Sequence, residues 1–216
     1  MTRLQMHAEF KLLLDKGDSF DAPSFLDSEI DAFLNISQEK FISKRTFGNN
    51  VRRTTFEEDQ KRRDDLRNLI SNQVLAPSTS TNNKPNGVFV TLPNDYRHTI
   101  QEDALLSNGR RVGVTPLTHD RYNKVINDPF NSPDSSTVYR LDFKIDQHEL
   151  ICGTGISVNK YYLRYISNPK PIGPNTDCLL SVHTHREIVK MAVVEALENV
   201  EQPRYQTSKI ELNEIE

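Results

Sequence analysis

The stretch EIVKMAVVEALENV, residues 187–200, decides how this chain can fold. Its small and branched apolar side chains recur at the i, i+3, i+4, i+7 spacing of one helical face. They are Val189, Ala192, Val193, Ala196, Leu197 and Val200. A helix with such a stripe has to bury it against another element, so the stretch predicts a helix that packs into a core.

Three segments near the start of the chain predict helices that are suitable packing partners. Residues 2–16 and 28–46 have helix-like apolar spacing, and residues 55–75 continue it behind a capping-box pattern at Thr55–Glu58. Acid–base pairs four residues apart predict a solvated, ion-paired face on the third segment. These pairs are Glu57–Lys61, Glu58–Arg62 and Asp59–Arg63.

Between these helices, the sequence has the short, β-branched pattern of strands. The predicted strands are 88–93, 111–117, 137–145, 148–152 and 155–166. Asn108-Gly109 is typical of a hairpin turn between antiparallel strands, and residues 118–133 predict a short helix that a proline ends. The polar loop at 76–87 marks the boundary at which the pattern changes.

The fold class expected is α+β, with a helical bundle built from the N-terminal and C-terminal helices and an inserted, mainly antiparallel β domain. The bundle takes residues 1–84 and 178–216, and the β-rich insertion takes residues 85–177. Helices that cover the sheet directly would satisfy the same apolar stripe, so that packing stays open as an alternative.

The composition is that of a polar globular protein, and it excludes several classes. The 216 residues have a net charge of -3, without the basic excess of a generic nucleic-acid binder. Cys152 and Cys178 lack the spacing of a zinc ribbon or a disulfide framework, so we expect buried thiols. No apolar run has the length of a bilayer span, and the N-terminus lacks a signal-peptide cleavage pattern, so no membrane partner is expected.

The motif His183-Thr184-His185-Arg186-Glu187 raises the question of a metal site. Two histidines share a helical face at a spacing of three or four residues, not two. A helix that begins after Thr184 explains the motif differently, with Thr184 as its cap and Glu187 completing a capping box. We therefore expect no metal, no cofactor and no catalytic residue. The alternative is a metal-dependent hydrolase that uses His183, His185 and Glu187.

Cations that surround a glycine-containing loop are candidates for contact with phosphates or an acidic partner. The candidate interaction residues are Lys44, Arg45, Arg52 and Arg53, together with Arg204 and Tyr205 behind the last helix. The alternatives are a loop that is only solvated and a small nucleic-acid-binding module.

Several segments resemble the virion structural proteins of crAss-like bacteriophages, which are short-tailed phages of gut Bacteroidales. The segments are EIDAFLNISQEKFISKR (29–45), FEEDQKRRDDLRNLI (56–70), INDPFNSP (126–133) and VHTHREIVKMAVVEALENVEQPRYQT (182–207). The last is the most specific, because its His-Arg-Glu-Ile-Val helix is followed by Pro-Arg-Tyr-Gln-Thr. The match is to the head-to-tail ring, or connector, proteins, which are similar in role to the adaptor and tail-tube proteins of other podoviruses.

The resemblance implies a structural virion protein whose family carries no catalytic residues. Copies would form a homo-oligomeric ring, a dodecamer, beneath the portal or beneath another ring at the head-to-tail junction. The implied partners are further copies, the portal, other ring and tail proteins, and packaged DNA that passes through the lumen without sequence specificity. The protein would be made in the cytoplasm of the bacterial host and would reside in the virion.

The extended C-terminal tail, residues 203–216, is expected to serve this assembly. Pro203 ends the last helix, because the residue before a proline avoids helical geometry. The tail is polar, with Ile210, Leu212 and Ile215 spaced mostly in a period of two, and alone it buries too little surface to be ordered. We expect it to bind a neighbouring subunit or an adjacent virion protein, for example along a strand edge.

Overall fold

The structure, a computed structural model, describes residues 1–14, 25–47, 59–78 and 84–199. Its helices are α1 (Arg3–Leu14), α2 (Asp27–Phe47), α3 (Gln60–Leu66), α4 (Tyr122–Ile126) and α5 (His185–Asn199), with 3-10 turns at Arg67–Leu69 and Val182–Thr184. Its strands are β1 (Ile70–Leu75), β2 (Pro77–Ser78), β3 (Gly87–Thr91), β4 (Tyr96–Leu106), β5 (Arg111–Pro116), β6 (Val138–Lys144), β7 (Gln147–Ile151) and β8 (Val158–Ser167). The chain is therefore mixed α+β, as predicted, and it divides into two compact units, residues 1–69 with 169–216 and residues 70–168.

Within the first unit, α5 buries the apolar stripe that the sequence predicts. Every stripe residue from Val189 to Leu197 is buried, and Ile188, Met191 and Val194 are buried beside them. α5 packs against both α1 and α2. Because fully burying a branched aliphatic side chain is worth about 1.5–3 kcal/mol, packing rather than helix propensity stabilises this helix.

α1 and α2 each bury one face, and both agree closely with the predicted helices. Their buried apolar residues are Met6, Phe10, Leu14, Ile30, Leu34, Phe41 and Ile42. The ring of Phe10 lies 6.1 Å from that of Phe25 and 6.4 Å from that of Phe33, measured between centroids. No helix in the described ranges is both long enough and apolar enough to cross a membrane.

The helix predicted over residues 55–75 is wrong in its second half. α3 ends at Leu66, and after one 3-10 turn the chain continues as strand β1, which pairs antiparallel with β8. The helical spacing of Leu66, Leu69, Ile70 and Val74 is misleading, since Val74 lies on the exposed side of the strand. Pairing with β8 outweighs the local pattern, because short apolar runs fit a helix or a strand equally well.

One of the three predicted ion pairs of this segment, Asp59–Arg63, is also corrected. Asp59 caps α3, because its side chain accepts a hydrogen bond of 2.9 Å from the backbone nitrogen of Lys61. Its carboxylate lies 3.8 Å from Nε of Arg62 rather than beside Arg63. The pairs of Glu57 and Glu58 and the capping box at Thr55–Glu58 lie outside the described residues.

The second unit is an eight-stranded sheet in the order β1-β8-β4-β5-β6-β7-β3-β2. All neighbours are antiparallel except β5 and β6, which are parallel, so the sheet is mainly antiparallel as predicted. Asn108-Gly109 forms the predicted hairpin turn between β4 and β5. Gly109 has a positive φ of 80°, which glycine adopts without strain.

The two outermost strands of this order are one continuous segment. Residues 70–75 pair with β8, and residues 77–78, only one residue further on, pair with β3. The same segment therefore supplies both edges, and the sheet has to curl around an interior. That interior holds the main apolar cluster, which includes Val90, Leu106, Val138, Leu150, Tyr161 and Leu163.

β4 is a strand that the sequence pattern did not predict, as are β1 and the two-residue β2, which falls in the predicted polar loop. Its burial alternates at Glu102, Ala104 and Leu106, so one of its inward positions is occupied by a carboxylate. An acidic residue at an inward position hides the alternation of apolar and polar residues on which strand prediction depends. The short helix expected in 118–133 is confirmed as α4, whose Tyr122 packs with Tyr139 on β6.

Both cysteines are buried free thiols, as predicted. Burial raises the pKa of the Cys152 thiol to about 11. Burial also raises the pKa of Cys178, whose Sγ donates to Oε1 of Gln38 at 3.3 Å. Neither thiol therefore has the lowered pKa of a nucleophilic cysteine.

The start of α5 differs from the predicted capping box. The hydroxyl of Thr184 donates to the carbonyl oxygen of Ser181 at 2.8 Å, and Glu187 binds Arg45 instead of reaching back to Thr184. A 3-10 turn at Val182–Thr184 leads into the helix, so the threonine stabilises this turn rather than the first nitrogens of α5.

We predict that Thr184→Val lowers the free energy of unfolding by about 0.5–1.5 kcal/mol, the usual net value of one hydrogen bond. Valine keeps the volume of this buried side chain and removes the hydroxyl. Thr184→Ser is the control, since it keeps the hydroxyl and loses only the methyl group. Chemical denaturation measures both variants, and an unchanged midpoint for Thr184→Val would contradict this role.

Candidate functional site

The residues of the His183–Glu187 motif bind three different partners and do not converge on one point. His183 Nε2 lies 2.8 Å from Oδ1 of Asp65, and Glu187 binds Arg45. His185 Nε2 lies 2.9 Å from the carbonyl oxygen of Leu180. Across the described ranges, no group of three or more His, Cys, Asp or Glu side chains is placed to hold a metal ion.

His185 is held as a neutral imidazole whose two nitrogens are both engaged. A carbonyl oxygen only accepts hydrogen bonds, so Nε2 carries the proton that is donated to Leu180, and Nδ1 accepts from the Met1 nitrogen at 2.9 Å. Burial lowers the pKa of His185, which favours the same neutral form. Neither nitrogen has a lone pair free to bind a metal in this arrangement.

A buried ion network lies beside this motif and includes a residue that the sequence placed on a surface. Arg45 is only 7% exposed, and its Nε lies 2.8 Å from Oδ2 of Asp65. Its Nη2 donates to both carboxylate oxygens of Glu187, at 2.9 and 3.0 Å. The guanidinium also lies over the ring of Phe41, 4.8 Å from its centroid. The network therefore joins α2, α3 and α5.

Of the candidate interaction residues, Arg45 is thus buried and ion-paired inside the first unit. Lys44, its neighbour on α2, is half-buried. Arg52, Arg53, Arg204 and Tyr205 lie outside the described residues.

A second network joins α1 to α2. Arg3 binds Asp31 with two parallel hydrogen bonds, Nε to Oδ1 and Nη2 to Oδ2, each of 2.8 Å. His7 Nε2 lies 2.7 Å from the same Oδ1. Burial by itself would raise the pKa of Asp31, but the hydrogen bonds from Arg3 and His7 outweigh it and hold that pKa below its usual value. This pairing fixes the two helices against each other.

The second unit carries a polar network inside its curled sheet, which the sequence did not reveal. Arg140 Nη1 donates to Oε1 of Glu102 at 2.6 Å, and the Tyr161 hydroxyl donates to Oε2 at 2.5 Å. His148 Nδ1 lies 3.3 Å from that hydroxyl, and Asp142 at the exposed rim contacts Arg140 Nε at 3.0 Å. The sequence feature that could have indicated this network is the presence of two charged residues, Arg140 and Asp142, within the predicted strand that became β6.

Burial controls the protonation of this network. It raises the pKa of Glu102, against the opposing charge of Arg140, and it raises the pKa of Tyr161. It lowers the pKa of His148 to about 4. Because Tyr161 and His148 are at most 2% exposed, these groups are closed to a substrate, and their arrangement serves to hold β4, β6, β7 and β8 together.

Apolar side chains on the surface form the remaining candidate sites. In the second unit, Phe130 and Ile145 are 95% and 97% exposed. In the first unit, Leu4 and Leu12 of α1 are 69% and 72% exposed. Apolar side chains mark a surface that binds other proteins where they form a contiguous patch.

The comparisons with known proteins agree with a role in an assembly. A sequence model of the phage tail ring protein 3/4 family matches residues 1–208. The chain is also similar to Ring protein 3 of Bacteroides phage crAss001, with 29% identity over 220 residues. The match covers 89% of this chain and 94% of that protein.

The match places the chain in the class of structural proteins of phage tails. It belongs to the phage tail ring protein 3/4 family. The predicted resemblance to crAss-like phage ring proteins is therefore confirmed, and with it a structural virion role in an oligomeric ring with other virion proteins.

We predict that Asp65→Asn lowers the free energy of unfolding by on the order of 3 kcal/mol, because it leaves the buried charge of Arg45 without one of its carboxylates. Asp64→Asn is the matched control. Its carboxylate is 46% exposed, so the loss should be below about 0.5 kcal/mol. Urea denaturation measures both variants, and equal losses would contradict the importance of the network.

We predict that stability depends on pH through His148. A folded-state pKa of about 4, against 6.5 for the free side chain, means that the unfolded chain takes up the proton first. The contribution of His148 is therefore complete above pH 6.5 and is lost as the pH falls toward 4. The raised pKa of Glu102 has the opposite effect, since it favours the folded chain as the pH falls. The lowered pKa of His185 has the same effect as that of His148 and reduces stability as the pH falls.

The effect is isolated by comparing the wild type with His148→Gln, which does not titrate. Between pH 7 and 4.5, the wild type should lose about 1–3 kcal/mol more of its free energy of unfolding than the variant does. Parallel curves of unfolding free energy against pH would show that His148 does not carry this dependence.

Proposed function

We propose that this chain forms a homo-oligomeric ring, a dodecamer, in the head-to-tail connector of a short-tailed phage, beneath the portal or another ring. Its lumen would line the passage of packaged DNA. The observation that carries the proposal is the family match over residues 1–208, which spans nearly the whole chain. The name of the crAss001 relative, Ring protein 3, supports the same role.

We infer that the ring subunit is not an enzyme. The separate partners of His183, His185 and Glu187 support this inference, since an active site needs such groups to converge on one substrate. The burial of the Glu102–Tyr161–His148 network supports this inference as well, because a substrate cannot reach these side chains. The alternatives of a metal-dependent hydrolase and a nucleic-acid-binding module have no comparable support.

The charge of the chain supports a passage through which DNA can move. With a net charge of -3, each subunit lacks the cationic excess that would hold the phosphate backbone. A lumen without strong phosphate contacts lets DNA slide past independently of its sequence. Partners of the ring would be further copies, the portal and other ring or tail proteins, with Lys44, Arg52, Arg53, Arg204 and Tyr205 as candidate contact residues.

We further infer that the helices of both chain ends form one bundle into which the β-rich part is inserted. The packing of α5 against α1 and α2 supports this arrangement, as does the grouping of residues 1–69 with 169–216. The bundle and the β-rich part would supply different contacts in the ring, and the tail at 203–216 would bind a neighbouring subunit or an adjacent virion protein.

The ring is tested with the full-length protein in solution. We expect light scattering at high protein concentration to give the mass of a closed oligomer, and negative-stain images to show rings with a central opening. A fluorescent DNA duplex added at physiological salt should remain unbound outside the ring. A protein that stays monomeric at all concentrations, or that binds duplex DNA tightly, would overturn the proposal.

A further inference from the structure

One face of α1 is apolar and exposed, although the opposite face is buried. Leu4, Ala8 and Leu12 are four residues apart and share this exposed face, whereas Met6 and Phe10 are buried on the other side. Leu12 is 72% exposed. An exposed stripe on a helix that is otherwise well packed indicates a surface that a partner covers.

The stripe borders a groove whose other wall is the first half of α5. The groove is lined by Ala8, Glu9, Leu12, Leu13, Arg186 and Lys190. Arg186 is 73% exposed, and its Nε donates to Oε1 of Glu9 at 2.7 Å. Two cations therefore face one carboxylate, so the groove combines an apolar wall with an excess of positive charge.

The C-terminal segment IELNEIE, residues 210–216, has the complementary chemistry. It offers Ile210, Leu212 and Ile215 as apolar contacts. Between and after them it offers carboxylates at Glu211, Glu214 and Glu216. Apolar side chains would cover Leu4 and Leu12, and the carboxylates would pair with Arg186 and Lys190.

We propose that residues 210–216 bind in the α1–α5 groove of a neighbouring copy of this chain. This inference rests on the proposed ring function, because a ring of identical subunits needs two different surfaces on each copy that fit each other. The acidic tail and the basic groove are such a pair. From the end of α5 at Asn199, the chain before Ile210 can span up to roughly 33 Å, which is enough to reach another subunit.

The experiment uses full-length chains with single cysteines. Chains with Leu12→Cys are mixed with chains that carry Leu212→Cys under ring-forming conditions and oxidised, and the disulfide-linked dimer is quantified. The matched control replaces Leu12→Cys by Leu26→Cys, because Leu26 is 69% exposed but lies outside the groove. We expect at least about tenfold more dimer with Leu12→Cys, since docking raises the local thiol concentration. The native thiols Cys152 and Cys178 are buried.

Charge reversal tests the ionic part of the contact. Lys190→Glu in the Leu12→Cys chain should reduce the dimer yield severalfold, and Glu214→Lys in the Leu212→Cys chain should restore it. Equal yields from Leu12→Cys and Leu26→Cys would overturn the inference. So would a Leu12→Cys/Leu212→Cys double variant that forms its disulfide only within one chain.

The mass of the uncross-linked wild type is measured in the same samples. Rings that form without the specific disulfide would overturn the docking of the tail and leave the ring function standing. A wild type that remains monomeric would contradict the ring function and, with it, the docking.

Discussion

The buried charge of Arg45 is the constraint on which the first unit depends. A guanidinium that is 7% exposed is stable only if carboxylates neutralise it, since an unpaired buried charge costs several kcal/mol. Asp65 and Glu187 meet this need from helices that are distant in sequence. The same Asp65 also binds His183, so the histidine motif contributes a further residue to the network that orients α5. His183, His185 and Glu187 of this motif thus each have a partner within the first unit.

The sequence predicted those features that depend on local periodicity. The stripe of α5, the helices α1 and α2 and the Asn108-Gly109 hairpin are confirmed, because side-chain spacing and turn chemistry are local properties. Besides the two-residue β2, the strands β1 and β4 were missed, for two different reasons. β1 has helix-like spacing that only its pairing with β8 overrides, and β4 carries Glu102 at an inward position. The burial of Arg45 was not predictable either, because its partners lie on α3 and α5.

Four of the described polar groups with altered pKa values have structural roles. Glu102, Tyr161 and His148 are enclosed by the curled sheet, and Asp31 is clamped by Arg3 and His7. Both units also expose apolar side chains, on α1 in the first unit and at Phe130 and Ile145 in the second. This division, with ion-paired charges buried and apolar side chains exposed, suits a member of a phage tail ring family whose role is assembly.

The central claim, a ring of this chain around the DNA passage, is tested most directly by a cryo-EM map of the whole virion. The account predicts a closed ring of copies of this chain, coaxial with the packaged DNA and located beneath the portal or another ring. A map in which the chain is absent from the tail, or in which its copies lie away from the DNA axis without contacting one another, would contradict the account.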